Sequence, residues 1–337
     1  RWFMPGHNHK GTTNSIYNYC QPRKQVTETD YSKFDGTISP FLRKLEQDIM
    51  LAAFEGEDKA ELAEWLKRDT QVKGRTGYGH AYQTKSSRLS GSQMTTIGNS
   101  LINAFVAYAA YRQAGFTPKQ ASTMIGPKYG DDGIDDIRGD FVSVAAMLGL
   151  KIKADTRDTT NFVTFCGRIY ISPRTHRSSV FGPLKALRSL PVAMKGTEHS
   201  DKVNGYLAVD PQAPLVSDYA RAIKRVHGYG DKHVEDFTTK QGPFPYDETL
   251  EVKTIEVLAQ VMSTTSDAVL GCIADLRAAT SLEDLEEIRG RYFPNDERET
   301  VKGARFVHED TAEKVKTTTL SVVNIEEWTP CVSSSTN

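Results

Sequence analysis

An α+β fold is predicted from three features of the 337 residues. Long stretches carry apolar residues at helical spacing, short β-branched runs stand between them, and acidic pairs sit where those runs end. The composition is ordinary for a globular chain, 38% hydrophobic and 25% charged, with a formal net charge of -1. That excludes collagen-like, disulfide-scaffold and largely disordered classes, and the length allows about two or three subdomains. Cys20, Cys166, Cys272 and Cys331 stand far apart with no C-x-x-C pair, so a reducing compartment is expected. The longest strongly apolar run, Leu101 to Tyr111, contains Asn103 and falls far short of the roughly 20 residues of a membrane span. The chain opens on Arg1 without a leader pattern, and a piece of a longer polypeptide is expected.

Taken in order, Val26 to Tyr31 is a strand candidate. Ser39-Pro40 is a cap followed by proline at the first helical position, and Leu42, Leu45, Ile49 and Ala53 then predict a helix over 40–54. A second helix is predicted from Thr95 to Ala114, with Ile97, Leu101, Phe105 and Ala109 on one face and Gly115 past its end. Thr117-Pro118-Lys119-Gln120 opens a third with a capping-box pattern. Lys128 to Ile134 is a further strand candidate, with Asp132-Gly133 as its hairpin turn pair. Beyond about residue 175 strand signals thin out, and helices are predicted near 211–227, 248–262 and 266–279. Another opens at Ser281 and ends at Gly290. Residues 331–337 read as a flexible polar tail.

The near-zero net charge hides an uneven distribution. Lys67 to Arg88 holds six basic residues against one acid, Lys151 to Arg188 eight against two, and Ser281 to Asn337 seven against twelve. Two basic stretches around acidic motifs suit a polyanionic partner, with solvated faces as the plain alternative. His7 and His9 read as contact residues rather than metal ligands. Gly74, Gly77 and Gly79 lack the Lys-Ser/Thr of a phosphate loop.

Three separated motifs carry the chemistry. The first is Asp30-Tyr31-Ser32-Lys33-Phe34-Asp35, two carboxylates where a strand leads into a turn and helix. The second, Ser90 to Ser100, is a Ser-Gly loop entering the long helix and placing Thr95 and Asn99 one turn apart. In the third, Tyr129-Gly130-Asp131-Asp132-Gly133, adjacent acids sit at a hairpin tip, a concentration of like charge that suits a bound cation. Each alone has a plain structural reading.

Together, D-x4-D, S-G-x3-T-x3-N-S and G-D-D resemble motifs A, B and C of the RNA-dependent RNA polymerases of positive-strand RNA viruses. Trp2-Phe3-Met4-Pro5-Gly6, upstream, taken with DYSKFDGTIS at 30–39 and KYGDDG at 128–133, resembles most the nodavirus-like lineage. The resemblance implies a right-hand polymerase palm, an antiparallel sheet with packed helices, with partial fingers and a mostly helical thumb. It implies 1–25 as the approach to fingers and palm, with further fingers upstream of this chain. Residues 26–175 would be the palm with a fingers insertion at about 55–90, and 176–330 the thumb.

It also implies template-directed nucleotidyl transfer to an RNA 3′-hydroxyl on two Mg²⁺ ions, with Mn²⁺ as a substitute. Asp30, Asp131 and Asp132 would be the catalytic metal ligands. Asp35 and Asn99 would read the ribose, supported by Ser90, Gly91 and Thr95. Met147 to Asp155 resembles the end of the motif D helix and its following loop, with Lys153, Lys151 and Arg157 open as the general acid and Lys153 preferred. Phe165-Cys166-Gly167-Arg168 resembles motif E and puts Arg168 at the primer end. The implied partners are template and nascent RNA, nucleoside triphosphates, other parts of the same replicase polyprotein and a second copy of the chain. Membrane attachment would come through other regions, at replication complexes in the host cytoplasm. Rival readings are a non-catalytic RNA-binding module retaining the fold, and a reverse transcriptase.

Overall fold

Alternation along the second half of β1 (Gln25–Tyr31) buries Thr27, Thr29 and Tyr31 and leaves Asp30 exposed near the strand's end. This is one strand of a computed structural model that describes residues 2–70, 72–193, 198–231, 241–292 and 305–306; the tail at 331–337 and Cys331 lie outside them. Helix α1 (His9–Cys20) precedes β1, and α2 (Phe34–Thr37), α3 (Pro40–Leu51) and α4 (Gly56–Arg68) follow it. Ser39 caps α3 as expected, its hydroxyl accepting from the Leu42 amide at 3.3 Å. The small hairpin β2 (Lys73–Arg75) and β3 (Ala81–Gln83) leads to the long helix α5 (Met94–Gln113). Gly115 follows it at φ +90, and α6 (Pro118–Met124) carries the predicted capping box at Thr117 and Gln120.

Then come β4 (Lys128–Tyr129), β5 (Asp132–Asp135), α7 (Phe141–Met147) and β6 (Ile152–Asp158). These strands form an antiparallel sheet in the order β4-β5-β1-β6, with Thr29 opposite Gly133 and Asp30 opposite Lys153. One core lies between this sheet and α5, built on Tyr31, Phe34, Ile102, Val106, Tyr111 and Phe141.

A second, three-stranded sheet of β7 (Phe162–Phe165), β8 (Arg168–Ile171) and β9 (Ser178–Phe181) is the wall between two halves. Its alternation is shared out: Val163, Phe165 and Tyr170 join Met4, Ile16 and Val26 in one core. Phe162, Ile169, Ile171 and Val180 join the helical half. That half contains α8 (Pro183–Ser189), α9 (His199–Val209), α10 (Val216–Val226) and helices at Glu251–Val261, Ser266–Ala278 and Leu282–Tyr292. The last runs through Gly290 rather than stopping there, and β9 adds a strand beyond residue 175, where strand signals thin out in the sequence. Among the described residues no single helix is long and apolar enough to cross a membrane.

The first sheet conceals an ion pair. Lys128 and Asp135 are both 0% exposed and bonded to each other, and Gly133 leaves the space that the lysine amine occupies. Burial pushes the Lys128 amine below its usual range, and Asp135 opposes that shift. Removing one partner of such a pair strands the other charge. Lys128→Ala is expected to cost about 3–5 kcal/mol in urea unfolding; a loss below about 1 kcal/mol would show that Asp135 finds other compensation.

Candidate active site

The first two sequence motifs meet through side chains. Lys33, at φ +53, makes the sharp turn from β1 into α2 and brings Asp35 over the start of α5. Asp35 Oδ1 accepts from Asn99 Nδ2 at 2.7 Å, and its Oδ2 accepts from the Ser90 hydroxyl. Thr95 Oγ1 donates to the Leu89 carbonyl at 2.7 Å and so ties the start of α5 to the loop before it. Gly91 is exposed on that loop, with open space around its α-carbon.

Behind Asn99 lies a network that the motifs do not announce. Arg88 Nε donates to Asn99 Oδ1 at 2.6 Å, while the Arg88 fork also bonds Glu46. Glu46 takes a second arginine, Arg43, at 2.8 Å, and Arg43 reaches Asp69 at 3.2 Å. Arg88 and Glu46 are 4% and 1% exposed, so Arg88 is not the phosphate-facing cation that its basic stretch suggested. A Cβ at Gly98 would come within 2.5 Å of both the Arg88 and Glu46 side chains. Only glycine on that helix face leaves the pair its place.

The third motif also differs in detail from its sequence reading. Lys128 pairs with Gly133 and Tyr129 with Asp132, so the hairpin turn is Gly130-Asp131, with Gly130 at φ +62. Asp132-Gly133 instead opens β5, because the Asp-Gly rule competes with a glycine one step earlier that can take the left-handed conformation. Burial raises the Asp131 carboxyl above its ordinary range, and the charges of Asp30 and Asp35 add to it. Asp132 is pushed up to about 6 by burial and then by Asp131 and Asp30, with a nearby Cys166 thiol and Lys185 opposing.

The fit to a cation can be judged from these groups. Among the described residues no three acidic, histidine or cysteine side chains are close enough to hold a metal ion by themselves. Mg²⁺, however, typically takes one or two carboxylates and fills its octahedron with phosphate oxygens and water. Asp131 and Asp132, whose carboxyls are raised by burial and by neighbouring carboxylates, are oxygen donors lining an open cleft and fit that demand.

The cleft holds about 570 Å³ and is lined by Lys33, Asp35, Ser90, Thr95, Asn99, Asp131 and Asp132, with Cys166, Gly167 and Lys185 beside Asp132. Lys153 is exposed on β6 directly across from Asp30, in a strand where the sequence suggested a loop. Lys151 just precedes that strand, and Arg157 is tied to Glu28 at 2.9 Å. Arg168 is corrected outright. It is 2% exposed, paired with Asp210 at 2.6 and 2.7 Å, and covered by the Phe244 ring 3.4 Å away. Such an arginine cannot reach a primer end; the cation on this side is Lys185, which no motif signalled. His9 bonds the Gly242 carbonyl at 2.6 Å and stacks on Phe244, a contact residue as expected.

Residues 4–186 match the family model described as viral RNA-dependent RNA polymerase. The chain is 34% identical to an RNA-directed RNA polymerase of Greasy grouper nervous necrosis virus, over 66% of this chain and 24% of that protein. Identity to the enzyme of Atlantic halibut nervous necrosis virus is 32%, over 83% and 30% respectively. For Nodamura virus (strain Mag115) it is 30%, over 68% and 23%. The chain thus spans only about a quarter of the length of these relatives. In fold it resembles the Sicinivirus 3Dpol RNA dependent RNA polymerase, with a TM-score of 0.50 at 13% identity, over 82% of this chain and 56% of that one.

The raised Asp132 carboxyl has a pH signature. Its folded value of about 6 exceeds the ordinary 3.8, so between the two the folded chain holds a proton that the unfolded chain has released. Stability from this group is complete below the ordinary value and is lost as pH rises through about 6. In chelator-treated buffer, urea unfolding is expected to weaken by on the order of 2–3 kcal/mol from pH 4 to pH 7, and Asp132→Asn to flatten that slope. An equal slope in the variant would refute the assignment.

Proposed function

The chain belongs to the viral RNA-dependent RNA polymerase family, on its nodavirus-like side, and from that premise we propose that it is the nucleotidyl-transfer core of a replicase. It joins nucleoside triphosphates to the 3′ end of a growing RNA on an RNA template. One observation carries this reading: the Asp35–Ser90–Asn99 network and the Asp131–Asp132 turn face the same cleft. In this reading the palm is 26–175, with its fingers insertion at 55–90, and the helical half is the thumb.

In the reaction the 3′-hydroxyl oxygen bonds to the α-phosphorus, the bond to the bridging oxygen of the β-phosphate breaks, and pyrophosphate leaves. Asp30, Asp131 and Asp132 would hold a pair of Mg²⁺ ions, or Mn²⁺ in their place, which when bound stabilise charge on the attacking and leaving oxygens. Asp35 accepts from the ribose 2′-hydroxyl, and Asn99 has an N–H left over to donate to it. Lys153 gives a proton to the leaving pyrophosphate. Its exposure opposite Asp30 favours it over Arg157, which Glu28 occupies. Lys67, Arg68, Lys73, Arg75 and Lys85 are exposed on and after α4 and supply sequence-independent phosphate contacts.

Two measurements test the reading, both in the chain joined to its upstream replicase sequence. Asp131→Asn is expected to lose nearly all nucleotide incorporation; activity within about tenfold of the parent, in an equally folded protein, would favour a non-catalytic RNA-binding role instead. Asn99→Ala removes a partner of a buried hydrogen bond, about 1–3 kcal/mol or roughly 5- to 150-fold in ribose over deoxyribose preference. An unchanged sugar preference would remove Asn99 from the ribose site.

A further inference from the structure

Asn103 lies one helical turn beyond Asn99 on α5 and is 1% exposed. Its Nδ2 faces three successive carbonyl oxygens, those of Gly130, Asp131 and Asp132, at 3.2, 3.1 and 3.2 Å. Two hydrogens are thus shared among three acceptors. The same turn is held from its donor side as well: the Gly130 amide donates to Ser100 Oγ at 2.8 Å, and the Ser100 hydroxyl donates to the Thr96 carbonyl at 2.7 Å. The base of the hairpin is fastened by the Lys128–Asp135 pair and by the pairing of β5 with β1, whereas β4 meets β5 only through Lys128–Gly133 and Tyr129–Asp132, so the turn beyond them is held from α5.

A buried asparagine on a helix face is costly unless its hydrogen bonds are made, and an apolar side chain would pack there without that cost. Here the amide draws three successive carbonyls onto α5, so the helix holds the backbone that carries Asp131 and Asp132. We propose that Ser100 and Asn103 are positioning residues that fix the Gly130–Asp132 turn and thereby set how Asp131 and Asp132 are offered to a divalent cation. This rests on the reading above that those carboxylates hold the cation. Neither residue need touch substrate or ion.

The test uses the 337-residue chain and Mn²⁺ alone as probe, with free Mn²⁺ followed by electron paramagnetic resonance. Asn103→Asp keeps the shape but turns an oxygen, in place of a donor, toward three carbonyl oxygens. Ser100→Ala is the milder second variant, and Asp131→Asn is the reference for the ligand itself. Thermal unfolding checks the fold, and hydrogen exchange of the 130–133 amides reads the turn directly. Asn103→Asp is expected to weaken Mn²⁺ binding roughly 10- to 100-fold, as loss of a partner behind a metal ligand does, with faster exchange confined to the turn. Ser100→Ala should lose less, in the same direction. Full Mn²⁺ affinity in a folded Asn103→Asp protein, with Asp131→Asn weakened, would overturn the positioning role and leave the metal reading intact. Full affinity in Asp131→Asn would overturn both. Should Asn103→Asp not fold, Ser100→Ala decides: unchanged Mn²⁺ affinity and unchanged exchange at Gly130 overturn the proposal.

Discussion

Glu46 is buried with its two oxygens divided between Arg43 and Arg88, and the polarity of the cleft is set outward from that point. An arginine only donates, so the atom of Asn99 that faces Arg88 must be its oxygen. The amide nitrogen then has to face Asp35, whose second oxygen is left for Ser90. A flipped Asn99 would set donor against donor on one side and acceptor against acceptor on the other. Three buried charges are costly to assemble and more costly to leave incomplete, so the network admits few alternative arrangements.

Helix α5 is where this polarity meets the acidic turn. Its buried face is not uniformly apolar: Gly98, Asn99, Ser100 and Asn103 form a polar end, and Ile102, Val106, Ala107 and Ala110 form the packed remainder. The polar end orders the cleft while the apolar end anchors the helix against the sheet. Neither function could be moved without shifting the other, because both are fixed by the same 3.6-residue period.

This division explains what could be read from the chain. Asp35, Ser90, Asn99, Asp131 and Asp132 stand in short motifs whose spacing survives as a shared cleft, Asp30 lies outside its lining but close enough for its charge to act on Asp131 and Asp132, and the caps at Ser39 and Thr117 are local chemistry. Arg43, Glu46 and Arg88 were hidden because a charge count does not distinguish a buried cation from a solvated one. Glu46 and Arg88 are also 42 residues apart. Arg168 was misread because the motif E resemblance fixes its place in the sequence but not its burial against Asp210. Helix α1 escaped notice because HKGTTNSIYNYC has few apolar positions to show a period, and β6 because its exposed charges resemble a loop.

The Arg168–Asp210 pair spans the wall sheet and the end of α9, and the Phe244 ring that covers it also stacks on His9 from α1. Three parts of the chain distant in sequence are therefore locked at one buried joint. Opening the molecule there would expose a salt-bridged guanidinium and carboxylate along with the ring stack, and breaking such a pair is expensive. A swing of the helical half about this joint is accordingly suppressed.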